Sequence, residues 1–260
     1  MRMNVNFLYT LILILWAGPL VQGKPVDIGG DGNQADVDTM QLWGEQGPVV
    51  TDILQGPDIE CWLLATLAAL VKLNMATITN IVKDIGIGEG VYGAKTDQAE
   101  VTLLNKDGKT EKIKVDKQSS SAGTADHLTT WWPAAIKRAA MNMGGYEGLK
   151  ENSIEYGYAT NALRMLTGKS TSFISVTNTE DAWDWIKHSN SSPILVSTKG
   201  DTKKLRKNHV LAVMSYEGDD TENGRVRIRD PYNGVEWYDL KDIVDDIKEI
   251  AGLADFASVP

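Results

Sequence analysis

The chain has 260 residues, with 26 Lys and Arg against 35 Asp and Glu, for a net charge of −9. An acidic chain with no basic patch is a poor match for nucleic acid, whose phosphates are neutralised by clustered Lys and Arg. The length suits one large domain or two small lobes, and with Cys61 as the only cysteine no internal disulfide can hold them, so stability must come from packing.

Residues 1–23 predict a secretory signal: Arg2 in a short polar start, an apolar run from Phe7 to Val21, and the small Gly23 at the cleavage point. That run is shorter than the roughly 20 residues of a spanning helix, so the expectation is a secreted protein without stable membrane insertion. Residues 24–50 are rich in Gly, Asp and Gln and predict a loosely structured leader, with some order around Leu42 and Trp43. The stretch Cys61 to Leu73 is apolar nearly all round, which predicts a central helix buried on most faces. From Glu100 to Val115 the pattern alternates about Asn105-Lys106-Asp107-Gly108, a hairpin signature. Helices are predicted from Leu128 to Met143, stopped by Gly144-Gly145, and from Ser153 to Leu166, stopped by Gly168.

Beyond Lys169 the runs Thr171 to Val176, Pro193 to Thr198, His209 to Tyr216 and Arg225 to Asp230 read as strands. Helices are expected near Glu180 to His188 and Leu240 to Ile250. The chain thus divides into a helical lobe at 51–168 and a β-rich lobe at 169–260.

Cys61 opens the central helix. A thiol there meets the positive end of the helix dipole, which favours the nucleophilic thiolate; the alternative is a small buried hydrophobe, the common fate of a free cysteine. A partner emerges from the His209–Tyr216 and Gly224–Asp230 hairpin. Regular pairing sets Val213 against Val226, Leu211 against Ile228 and His209 against Asp230, so the apolar face ends in a His and an Asp. A carboxylate beside an imidazole fixes its tautomer and supports its charged form, as the general base for a thiol requires. His127, before a helix, and His188, at a helix end, fit surface or capping roles, and three scattered histidines make no zinc motif.

Four segments then resemble the catalytic core of calpains, the papain-like cysteine proteases. They are Thr51-Asp52-Ile53-Leu54-Gln55-Gly56 leading to Cys61-Trp62-Leu63-Leu64; Trp132 to Ala139 with Gly145-Tyr146-Glu147-Gly148-Leu149; Lys207 to Val213; and Arg227 to Tyr232 with Val235-Glu236-Trp237. The resemblance implies an α+β, two-lobed papain-like core, with a helical N-terminal lobe carrying the Cys-bearing helix and a β-rich C-terminal lobe. It implies Cys61 as nucleophile, His209 as base, and Gln55 with the Cys61 N–H as oxyanion donors. Asp230 stands where calpains have Asn, and Tyr232 where they have Trp. The family's first calcium site falls on Asp52 and Glu147, so one Ca2+ and no organic cofactor are expected. The sequence therefore predicts a secreted, monomeric, calpain-like endopeptidase acting on protein or peptide through a thioester. Its rivals are a transglutaminase-like acyl transferase and an inactive module that binds a partner through the same cleft.

Overall fold

The computed structural model describes residues 40–86, 92–117 and 130–259. The predicted signal, nearly all of the leader, His127 and Leu128 fall outside these residues. Of the leader, Met40, Leu42 and Trp43 are buried in the core.

Helix α1 (Cys61–Leu73) buries every residue from Cys61 to Val71, as its all-round apolar sequence requires. It ends where Asn74 turns extended and donates its N–H to Leu70 O. Lys72 in the last turn places its ammonium 2.7 Å from Ser189 O. Helix α2 (Ala76–Ile81) follows, then a three-stranded antiparallel sheet of β1 (Val82–Asp84), β2 (Gln98–Leu104) and β3 (Thr110–Asp116). The β2–β3 hairpin turns where the sequence predicts. Asn105 Oδ1 accepts from the N–H groups of Asp107 and Lys109, and Gly108 takes φ +81°, a conformation that L side chains resist.

Helix α3 (Trp132–Met143) begins with Pro133 in its first turn, where a missing N–H costs nothing. Helix α4 (Ala159–Thr167) starts six residues later than expected. Leu149–Lys150 (β4) and Ser153–Ile154 (β5) instead pair as a small hairpin. The chain then crosses Trp62 so closely that a Cβ on Gly157 would lie 2.6 Å from the indole, which leaves room for glycine alone.

The second half is built on a six-stranded antiparallel sheet in the order β10-β9-β8-β7-β11-β6. Its strands are β6 (Thr171–Ser175), β7 (Ile194–Thr198), β8 (Val210–Glu217), β9 (Arg225–Asp230), β10 (Gly234–Asp239) and β11 (Ile247–Leu253). Helix α5 (Thr179–Ile186) is capped by Asn178, whose Oδ1 accepts from Asp181 N at 2.8 Å. Strands β7 and β8 read as apolar runs because both faces are covered. Leu195, Val210, Ala212 and Met214 pack in one cluster with α1, while Ile194, Val196, Leu211 and Val213 join α5 and α6 (Leu240–Ile243) in a second.

Two expectations are corrected here. The predicted helix from Leu240 to Ile250 lasts one turn, and Ile247–Leu253 becomes an inner strand between β7 and β6; its β-branched Ile247 and Ile250 fill the sheet's second cluster. The β8–β9 register also differs. Val213 faces Ile228 and Ala212 faces Arg229, and a bulge at Met214 shifts the pairing beyond it. Because the displacement is two residues at the His209 end, the side chains keep their faces.

The loop 199–208 that delivers His209 is pinned from below. The buried Asp246 carboxylate accepts the N–H groups of Lys203, Lys204 and Leu205 at 2.7, 2.7 and 2.9 Å. Asn208 closes the loop at φ 49°, a left-handed turn that Asn tolerates. Burial works to raise the Asp246 pKa, but the three N–H groups and Lys203 outweigh it and hold it below the ordinary carboxylate value. Asp246→Ala should therefore cost roughly 3 kcal/mol in urea unfolding at neutral pH, from charge-assisted bonds lost and donors orphaned. With a folded pKa below the unfolded one, this difference is full above about pH 4 and shrinks as pH falls further. A constant difference down to pH 2 would contradict it.

Candidate active site

Cys61 is the first residue of α1, preceded by Glu60, whose carbonyl accepts the N–H groups of Leu63 and Leu64 at 3.0 Å each. Cys61 is 5% exposed and lines a cleft of about 410 Å³. Trp62, Glu147 and Gly157 line one part of it; Thr198, His209 and Glu249 line another. Trp62 is fixed by its indole N–H, which donates to Glu155 O at 2.9 Å.

His209 arrives from the end of the 199–208 loop. Its backbone N–H donates to Thr198 Oγ1 at 2.9 Å, and its carbonyl accepts Thr198 N–H at 2.9 Å. On the ring, Nε2–H donates to Asp230 Oδ1 at 3.0 Å, which leaves Nδ1 free for a second partner, and the Cys61 thiol lines the same cleft. Burial pulls the His209 pKa down, but the neighbouring Asp230 and Cys61 outweigh it and set it above the ordinary value.

Asp230 ends β9 with three donors: His209 Nε2 and Tyr232 N (2.9 Å) on Oδ1, and Arg206 Nε (3.0 Å) on Oδ2. Burial would raise its pKa, and these donors win, holding it below the usual carboxylate range. The structure therefore brings Cys61, His209 and Asp230 together although the two strands pair in a different register from the one expected. Asp230 reaches His209 diagonally.

Sequence comparison now bears on this geometry. A family model described as "Calpain family cysteine protease" matches residues 35–241. The chain belongs to the calpain family of cysteine proteases. It is 26% identical over 215 residues to mouse calpain-9, an alignment covering 74% of this chain and 29% of that protein. The chain therefore spans less than a third of that calpain's length.

The remaining calpain-type residues fall as follows. Gln55 is buried, and its loop hangs on the sheet. Gln55 N donates to Pro231 O at 3.1 Å, and buried Arg229 donates to Ile53 O at 2.5 Å. The Gln55 side chain donates through Nε2 to Asp58 O at 2.8 Å. Asp52 is buried and already engaged: Trp132 Nε1 and Val49 N donate to its Oδ2 at 2.7 and 3.0 Å. Glu147 is exposed beside the cleft. Among the described residues no group of three or more His, Cys, Asp and Glu could hold a metal ion. Calcium takes six to eight oxygens, backbone carbonyls and waters among them, of which the Asp52 and Glu147 carboxylates would supply only part.

Sequence reasoning missed a buried ion cluster beneath the nucleophile. Lys137 Nζ, on α3, lies 2.6 Å from Asp58 Oδ2 and 2.8 Å from fully buried Glu60 Oε2. Burial raises the Glu60 pKa, against the lowering by Lys137. The signal was present: a Lys beside Ile136 on the stripe that buries Trp132, Ile136 and Ala140 demands a buried counter-charge. His188, set aside in the sequence, stacks on Phe256 at 3.7 Å.

The His209–Asp230 bond makes a signed prediction. Asp230→Asn removes the negative charge that supports the imidazolium, so the NMR titration midpoint of His209 should fall. A midpoint that stays put or rises would mean Asp230 does not set the charge of the ring.

Proposed function

We propose that this protein is a secreted cysteine endopeptidase with a papain-like two-lobed core, in which Cys61, His209 and Asp230 hydrolyse peptide bonds through a thioester. The observation that carries this reading is the juxtaposition of Cys61, at the start of a buried helix, with a His209 ring bonded to Asp230, thiol and imidazole lining one cleft.

The reaction follows from the groups present. His209 Nδ1 takes the Cys61 proton and the sulfur attacks the substrate carbonyl, forming a C–S bond. The oxygen then carries negative charge, where the Cys61 N–H can meet it, since the first N–H groups of a helix lack intrahelical acceptors. The second Nε2 hydrogen of Gln55, whose first serves Asp58 O, is the other donor in this reading. As the C–N bond breaks, the imidazolium gives its proton to the leaving amine. Water deprotonated by His209 then cleaves the thioester, returning the thiol and releasing the acid. Asp230 keeps Nε2–H pointed away from the reacting sulfur and balances the charge of the imidazolium. No step runs through calcium.

The experiment expresses the full chain in a secreting host. Export with a new N-terminus at Lys24 is the expected outcome; retention with residues 1–23 intact would overturn secretion. Under reducing conditions the exported protein should cleave a denatured protein substrate, and Cys61→Ala or His209→Ala should lower kcat/KM by at least about a thousandfold. Release of no peptide by the folded chain would leave a binding module, and amine incorporation without new peptide ends would leave an acyl transferase. Chelation of calcium should change the rate by less than about twofold. Loss of activity on chelation, reproduced by Asp52→Asn, would restore the ion to the mechanism.

A further inference from the structure

Asp230 and Tyr232 are the two places where the triad region departs from the calpain pattern, and one side chain touches both. Arg206 puts Nε 3.0 Å from Asp230 Oδ2 and its guanidinium carbon 4.5 Å from the centre of the Tyr232 ring. Tyr232 in turn stacks on His209, with ring centres 5.6 Å apart and planes inclined by 30°. The order is Arg206, Tyr232, His209, with Asp230 bonded to the first and last and to the Tyr232 backbone. The backbone of Arg206 is tied to the backbone of His209. Its carbonyl accepts Thr198 Oγ1–H at 2.6 Å, and that oxygen accepts His209 N–H at 2.9 Å.

We propose that Arg206 is a positioning residue of this active site, clamping Asp230 by an ion pair and Tyr232 by its cationic face so that both hold the His209 ring. The physical need is specific to this chain. A neutral Asn could orient the ring with no counter-charge, whereas a carboxylate whose side chain is only 15% exposed is steadied by one. The guanidinium is permanently charged and planar, so it can bond a carboxylate along its edge and cover an aromatic ring with its face at once. Arg206 remains partly open to solvent, and a polar pocket lined by Thr202, Lys204, Asp230 and Asn233 leads to it.

The clamp rests on the peptidase reading for its effect on turnover, but not for its effect on His209. The charged and titratable groups around the ring are Cys61 on α1, Asp230 on β9, Tyr232 and Arg206, with Glu147, Lys248 and Glu249 around the cleft. Removing the positive charge of Arg206 leaves Asp230 uncompensated, which favours the imidazolium. The His209 midpoint in the resting protein should therefore rise in Arg206→Gln and stay near wild type in Arg206→Lys. In turnover, Arg206→Gln should lower kcat about tenfold, the scale of one hydrogen bond to a charged group, with KM within about twofold. In an Asp230→Asn background the same change should lower kcat by less than about twofold, because the charge it compensates is gone.

An unchanged His209 midpoint in Arg206→Gln, or equal losses in both backgrounds, would overturn the clamp. A wild type without peptidase activity but with the predicted midpoint shift would sink the function and leave the clamp standing.

Discussion

Everything in this fold is arranged around a helix that cannot face water. Helix α1 is apolar nearly all round, so it must be enclosed: the six-stranded sheet packs along it through Val210, Ala212 and Met214, and α2, α3 and α4 cover other sides. Enclosure fixes the helix axis, and fixing the axis fixes its first residue, Cys61. His209 is placed by the same contact, because it directly precedes the strand whose Val210, Ala212 and Met214 cover α1. Cys61 and His209 thus sit at the N-terminal ends of two elements that bury each other. A site built on such packed elements holds its geometry better than one carried by loops alone.

The polar parts of the site are held by a smaller set of long-range bonds. Arg229 and Pro231 anchor the Gln55 loop to β9, Asp246 anchors the His209 loop to the turn before β11, and Lys137 anchors the approach to Cys61 through Asp58 and Glu60. Each joins residues distant in sequence, and each satisfies a buried group that would otherwise be costly.

That division explains what the sequence disclosed. The central helix, the β2–β3 hairpin and four of the sheet strands were legible because they carry local signals: uniform apolarity, alternation about an Asn-Lys-Asp-Gly turn, or β-branched runs. The extent of α4 and the fate of residues 247–253 were not, since tertiary contacts decide them. Nothing in Ser153 to Tyr158 announces that the chain must slide past Trp62, and Ile247 to Leu253 has a strand's residues behind a helix's start. The β8–β9 register failed along the whole hairpin, by three residues on the turn side of Met214 and by two on the His209 side, because neither the exact turn nor a bulge leaves a mark in an alternation count; His209 and Asp230 still met, since a shift of two preserves the face. Cys61, His209 and Asp230 could therefore be named from sequence. Arg206 could not, because its partner is set by a loop fold that long-range bonds to Asp246 and Thr198 specify.

The depth of Cys61 bears on the redox life of the protein. A disulfide between two chains needs their Cα atoms within about 7 Å, and a thiol 5% exposed beside a cleft cannot meet its counterpart in a second rigid copy at that distance. Oxidants small enough to enter the cleft face no such barrier. In an oxidising compartment the chain would accordingly be silenced one molecule at a time, as sulfenic acid or a mixed disulfide with a small thiol, both of which a small reductant can undo.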